Sequence, residues 1–204
     1  MPPERLGRWL ERWAEQNGPV TRTELAPGRV TFHGAARLEC EPPFPPLATT
    51  GERDGFEPGP LLEHASRDRV VGVLLVRLGG HAAGVFSGRR LVDSKVGSRN
   101  VHGRHRAGGS SQKRFERRRG EQARVALEAA ADVAARVLLP YVSDLDAVVL
   151  GGDRRALGEV LEDPRLRSLA PLASDRVLDV PDPRLKVLQS TPDRFRATIV
   201  YAER

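Results

Sequence analysis

Apolar residues recur along this chain with two periods. From Glu4 to Gln16, Leu6, Trp9, Leu10 and Trp13 fall at helical spacing among charged neighbours, which predicts an amphipathic helix whose two tryptophans face a core, with docking of a partner as the lesser alternative. Residues 41–60, EPPFPPLATTGERDGFEPGP, hold Pro42, Pro43, Pro45, Pro46, Pro58 and Pro60, which rules out a helix or a central strand and reads as a linker. RVVGVLLVRL follows, a continuous β-branched run that predicts a buried strand over about 69–78. AAGVFSG and RRLVDSKV predict a hairpin turning around Ser87 and Gly88. From Gln112 to about Leu139 the period becomes helical, with Leu127, Ala131, Ala134 and Leu138 on one face, Glu128, Asp132 and Arg136 off it, and Pro140 as the stop. AVVLGG (147–152) predicts a second buried strand, RRALGEVLED a short helix, DRVLDV a third strand and RFRATIVYAE a closing strand. Strands alternating with helices predict an α/β fold, a mixed or parallel sheet with helices packed on it. The expected organisation is an N-terminal helix and proline-rich linker over 1–60 and an α/β domain over 61–204.

Composition narrows the class. With 204 residues and 39% hydrophobic content the chain can bury a core, which excludes a disordered protein. Cys40 is the only cysteine, so no intramolecular disulfide and no cysteine-based zinc site can form, and it is expected to be a passive small apolar residue. No apolar run approaches the roughly 18 residues a membrane span needs. The N-terminal MPPERLGRWLERW lacks the uninterrupted apolar core of a signal peptide. These features predict a soluble cytoplasmic protein without membrane contact.

Charge changes the picture more. Between Lys95 and Arg124 ten cationic side chains face only Glu116 and Glu121, a local net charge of +8 in a chain of +6, so the remainder carries −2. Lys95, Lys113 and Lys186 are the only lysines, so the argument rests on clustering and not on the choice of arginine. Arg114, Arg117 and Arg118 share one helix face, where like charges repel when no partner is present. Concentrated cationic charge on one loop and helix is the electrostatic footprint of a nucleic-acid binder, and RNA or ribosome binding is favoured over a solvated face.

The same region carries the candidate chemistry. In GRHRAGGSSQ (103–112), Gly108 and Gly109 permit backbone conformations closed to other residues and close approach to a ligand. Ser110 or Ser111 can cap the helix, which leaves Gln112 on a first turn where free amides and the helix dipole favour anions. GRHRAGGS nearly matches a phosphate-binding P-loop, but Gly109 stands where the lysine is required, so no nucleotide cofactor is expected. His102 and His105 lie three residues apart without further His or Cys nearby, which favours an RNA-contacting or solvated role over a metal site. Asp93, Asp144, Asp146 and Asp153 are candidates for a metal nuclease, yet all are predicted at turns or strand ends, where Asp serves local hydrogen bonds. Ser110 lacks the Gly-x-Ser-x-Gly context of a nucleophile.

A hairpin, a glycine loop ending in glutamine, a long basic helix and then β-α-β resemble the catalytic domain of eukaryotic and archaeal class I peptide-release factors, whose loop carries Gly-Gly-Gln. The closer likeness is to the bacterial release-factor-like branch of the Vms (VLRF) type, with a Gly-x-x-Gln loop, here Gly109, Ser110, Ser111 and Gln112. The resemblance covers roughly Arg69 to the C-terminus and implies a ribonuclease-H-like α/β fold. It implies a peptidyl-tRNA hydrolase needing neither metal nor cofactor, with the large ribosomal subunit and peptidyl-tRNA as partners. Gln112 would then orient the attacking water and stabilise developing charge, while Gly108 and Gly109 let the loop enter the peptidyl-transferase centre. Arg104, Arg106, Lys113, Arg114, Arg117, Arg118 and Arg119 would grip RNA. Ser110 and Ser111 depart from Gly-Gly-Gln, which keeps cleavage near the tRNA 3′ end open as an alternative. A non-catalytic RNA- or ribosome-binding protein is the other alternative. Length leaves about one domain beyond the catalytic part, so a codon-independent rescue factor is expected.

Overall fold

The computed structural model describes residues 1–77, 80–98 and 111–203, and of residues 98 and 111–119 the backbone alone. The chain forms two compact units, residues 1–68 with 192–204, and residues 69–191. Both are built of a five-stranded sheet with helices, so the architecture is mixed α/β.

In the second unit the apolar run becomes β5 (Val70–Arg77), followed by β6 (Gly80–Ser87), β7 (Arg90–Ser98), the long helix α3 (Ser111–Leu138), β8 (Ala147–Gly152), α4 (Arg154–Leu161), β9 (Ala173–Leu178) and α5 (Leu185–Gln189). The strand order is β7-β6-β5-β8-β9. β5 and β6 pair antiparallel from Val70↔Ser87 to Arg77↔Gly80, β7 continues the meander, and β8 and β9 run parallel to β5. Gly88, with φ 59°, makes the predicted tight turn after Ser87. Alternate residues of β5 and β6 point to opposite faces. Leu74, Val76, Ala83 and Val85 meet Ala130, Ala134, Val137 and Leu138 of α3 and Leu157 and Val160 of α4 in one buried cluster. On the other face, a Cβ at Gly84 would come within 3.0 Å of Leu188 of α5. Both faces are covered, which is why β5, β6 and β8 read as continuous apolar runs.

The first unit holds α1 (Pro3–Asn17), β1 (Val20–Ala26), β2 (Arg29–Gly34), β3 (Arg37–Glu41), β4 (Gly51–Asp54), α2 (Gly59–Ser66), α6 (Pro192–Phe195) and β10 (Ile199–Glu203). Its sheet, ordered β10-β3-β2-β1-β4, is antiparallel throughout. One face packs Leu25, Val30, Phe32, Leu38 and Cys40 against Leu6, Leu10 and Trp13 of α1 and Leu61 and Ala65 of α2. The predicted amphipathic helix therefore exists, with Leu6, Leu10 and Trp13 in the core and Trp9 half-buried at its margin.

Two readings are corrected here. Residues 1–60 are more than a helix and a linker, because 20–41 form three strands and 51–54 a fourth at the sheet edge. The closing strand does not join the α/β sheet: β10 pairs with β3 from Ile199↔Glu41 to Glu203↔Arg37, placing Val200 opposite Cys40 at the margin of the first core. Its half-exposed pattern suits a sheet covered on one face only.

Candidate active site at the start of the long helix

Ser111 opens α3 and Gln112 is its second residue, so the glutamine stands on the first turn, among the backbone amides that a helix leaves without intrahelical partners. Lys113, Arg114, Arg117, Arg118 and Arg119 follow within the first two and a half turns. Arg104, Arg106, Gly108, Gly109 and Ser110, together with His102 and His105, lie outside the described residues. Gly120, Glu121, Gln122 and Arg124 are exposed, Leu127 is half-buried, and from Ala130 onward the helix is largely buried. A helix of 28 residues spans about 42 Å. Its alanine-rich C-terminal half is the anchored part.

Small residues set that anchor. A Cβ at Gly72 would sit 3.3 Å from Leu138 and 3.2 Å from Leu145, so glycine in β5 lets the end of α3 settle onto the sheet. A brace that sequence reasoning missed comes from the 3₁₀ segment Pro164–Leu172, where Arg165 reaches Asp132 of α3 at 2.8 Å and Asp163 at 2.7 Å. Hydrogen bonds from the Arg165 side chain and then its backbone amide hold the Asp163 carboxyl down at about 2, and the two carboxylates raise the guanidinium. The only signal in the sequence is Asp-Pro-Arg after a helix, which does not reveal that Asp132 is near.

The other sequence candidates occupy structural positions. Asp153 caps α4, accepting from the amides of Arg155 at 2.9 Å and Ala156 at 3.0 Å. Asp146 accepts from the Val70 amide at 2.8 Å, and Asp144 lies in the turn before β8. Asp93 differs from its expected place at a turn or strand end, since it lies within β7 opposite Val85. Among the described residues no group of three or more His, Cys, Asp or Glu is placed to hold a metal ion. Burial pushes the Cys40 thiol up to about 12, which keeps it protonated and unreactive. Among the described residues no helix is long and apolar enough to cross a membrane.

A cavity of about 720 Å³ lies between α3, α4 and the C-terminal end of β5, with Leu127, Ala131 and Val160 in its wall and Arg77, Asp153 and Glu162 at its polar part. Arg124 pairs with Glu128, and Arg155 with Glu159 at 3.0 Å, so much of that charge is already matched within each helix.

The geometry of hairpin, long helix and parallel β8 falls within residues 69–201, the stretch matched by the family model described as Actinobacteria/chloroflexi VLRF1 release factor. The chain belongs to this family. Its match begins one residue before β5 and takes in the whole second unit. Peptide chain release factor subunit 1 of Archaeoglobus fulgidus is 30% identical over 113 residues, covering 55% of this chain and 28% of that protein. The same-named protein of Methanopyrus kandleri is 31% identical over 103 residues, covering 50% and 25%. The chain thus spans about a quarter of the length of these curated relatives. The crystal structure of the archaeal translation termination factor aRF1 aligns over 92% of this chain and 68% of that one, with 16% identity and a TM-score of 0.43. Membership of this family makes the chain a release-factor-like translation factor.

Proposed function

We propose that this chain is a ribosome-associated peptidyl-tRNA hydrolase, a codon-independent rescue factor that frees nascent peptide from stalled large subunits in the cytoplasm. The observation that carries the reading is the position of Gln112 on the first turn of a long, anchored helix, directly after Gly109, Ser110 and Ser111, in a chain of the VLRF1 release factor family. The peptidyl-tRNA ester is already activated, so orienting one water is enough to accelerate its hydrolysis. The Gln112 side-chain carbonyl accepts a hydrogen bond from that water, and an adjacent backbone N–H stabilises the oxygen that gains charge. The glycine at 109 gives the loop its close approach. Arg104, Arg106, Lys113, Arg114, Arg117, Arg118 and Arg119 supply the phosphate contacts that hold ribosomal RNA and the tRNA end. The antiparallel triplet β7-β6-β5 continued by parallel β8 and β9 supports a ribonuclease-H-like classification of this unit.

Ser110 and Ser111 favour a second reading, since two side chains beside the glutamine can displace the water and redirect attack to the tRNA backbone near its 3′ end. Both readings are separated by incubating wild type and Gln112→Ala with large subunits carrying labelled peptidyl-tRNA and resolving the peptide and the tRNA 3′ end. Ester hydrolysis yields free peptide and intact tRNA, dependent on Gln112. Peptide still bearing terminal nucleotides establishes tRNA cleavage instead, and no change in either product leaves a binding protein.

A further inference from the structure

The first unit carries a set of cations that the release chemistry does not use. Elsewhere in the unit Arg22 pairs with Glu52 at 3.1 Å, Arg29 and Arg37 with Glu39 at 2.9 and 2.5 Å, Arg53 with the Glu52 carbonyl at 2.8 Å, and Arg196 with Glu4 at 2.9 Å. Arg5, Arg8 and Arg12 of α1 are exposed, and among the described residues their guanidinium groups meet no carboxylate or carbonyl, although Glu11 and Glu15 lie within helical reach. Spaced three and four residues apart, they form one stripe along the helix. Trp9, half-buried at the margin of the core, borders that stripe. The three arginines and Trp9 line a single open groove of about 460 Å³, together with Met1 and Glu4.

We propose that this groove docks an RNA backbone, with Arg5, Arg8 and Arg12 on successive phosphates and the Trp9 indole against a base or ribose. A cationic groove with an aromatic wall is the general device for holding single strands and flexible RNA segments, and unpaired guanidinium groups are the side chains best matched to phosphate. An anionic membrane surface has the same charge but fits worse: the opposite side of α1, with Leu6, Leu10 and Trp13, is buried in the core of the unit and offers lipid nothing to receive. The choice of RNA rests on the function proposed above. The surface adds a second RNA contact to the one at α3, on a different unit of the chain.

The test uses the full chain, a fluorescein-labelled RNA hairpin, and vesicles of phosphatidylserine and phosphatidylcholine. Arg5→Gln/Arg8→Gln/Arg12→Gln is compared with wild type and with Glu11→Gln/Glu15→Gln on the same helix. Affinity for the hairpin is expected to fall about tenfold or more at low salt in the triple variant, and the slope of log affinity against log salt to decrease by about 2. The glutamate variant keeps the wild-type slope. A single Arg8→Gln, too slight a change to unfold the unit, lowers the slope by somewhat under one. Hairpin binding quenches the emission of Trp9 in wild type, with Trp13, 7% exposed, as a steady background. Unchanged affinity and slope in the triple variant overturn the proposal, as does binding of the wild type to the vesicles with no change on adding the hairpin. The two readings fail separately. Gln112→Ala leaves hairpin binding untouched, whereas an unaltered triple variant leaves Gln112-dependent release standing.

Discussion

The two sheets of this molecule have the same number of strands and opposite surroundings. In the second unit β5, β6 and β8 are buried on both faces, between α3 and α4 on one side and the Leu188 side of α5 on the other. In the first unit β1, β2 and β3 cover one face with α1 and α2 and turn Arg22, Glu24, His33, Arg37 and Glu39 outward, where they pair with one another and with Glu52. Ion pairs at such exposed positions contribute about 0 to 1 kcal/mol each, so the stability of that unit rests on its single apolar cluster. A doubly covered sheet gives a stiff base for a long helix. A singly covered sheet leaves a polar face and the outer side of α1, with Arg5, Arg8 and Arg12, exposed. The function proposed above assigns chemistry to the second unit and accessory contact to the first.

The largest expected effect breaks that division or upholds it. Gln112→Ala should lower peptide release about 100-fold or more at saturating large subunits while leaving their affinity unchanged. Replacing Arg117, Arg118 and Arg119 with Gln should instead weaken co-sedimentation with large subunits by about an order of magnitude and flatten its salt dependence. If the arginine variant of α1 abolishes single-turnover release at saturation, the first unit takes part in the chemistry and the division is wrong.

Next in size is a pair of backbone tests, one in each sheet. At Gly152 the chain leaves β8 with φ 105°, and a Cβ there would fall 2.1 Å from the Val76 carbonyl oxygen. Gly152→Ala should cost roughly 3 kcal/mol in denaturant unfolding, because the strained conformation and the clash lie inside a sheet covered on both faces. At Gly34 a Cβ would fall 2.5 Å from the Pro19 carbonyl oxygen, beside the irregularity between Val20 and Arg22 in β1. Backbone at that end of a singly covered sheet can shift, so Gly34→Ala should cost less, about 2 kcal/mol. Equal costs at the two sites remove the contrast in stiffness.

The same contrast explains which parts of the fold were legible in the sequence. β5, expected over 69–78, is Val70–Arg77, and β8 begins and ends where AVVLGG does, because residues buried on both faces must all be apolar. VTRTELA, RVTFHG and RLECE form β1, β2 and β3, which sequence reasoning missed although RVTFHG and RLECE alternate polar with apolar residues, the pattern of a sheet covered on one face. With β3 unrecognised, the partner of β10 was unreadable too. Among site residues, the place of Gln112 at a helix start followed from the serines and the onset of helical period. The groove on α1 did not, because Arg5, Arg8 and Arg12 cancel Glu4, Glu11 and Glu15 in any count of charge, and only the geometry shows the arginines gathered without partners.

A smaller effect is expected where α3 passes from its basic turns to its anchored half. Gly120 lies in the helix with open space where a Cβ would stand. Gly120→Ala should therefore raise stability by about 0.5 to 1 kcal/mol through the helix propensity alone. Release at saturation should stay at the wild-type rate. A rise in stability with a fall in release identifies Gly120 as a bend that the reactive end requires.

The smallest effect concerns the brace on α3, and its sign depends on pH. Asp163 is held at about 2 chiefly by the Arg165 side chain and then by the Arg165 amide. A carboxyl that titrates lower in the folded chain than in the unfolded one stabilises the fold at pH above its ordinary range near 4, and that contribution disappears as the pH falls toward 2. Asp163→Asn should lower the melting temperature slightly at pH 7, and the gap to wild type should close between about pH 4 and pH 2. Because the pair is exposed, salt should shrink the gap as well. Arg165 also reaches Asp132 across to α3, so Asp132→Asn should act in the same direction, and combining the two should fall short of their sum because both carboxylates share one guanidinium. Full additivity separates Asp132 from the brace and leaves the anchoring of α3 to its alanine face alone.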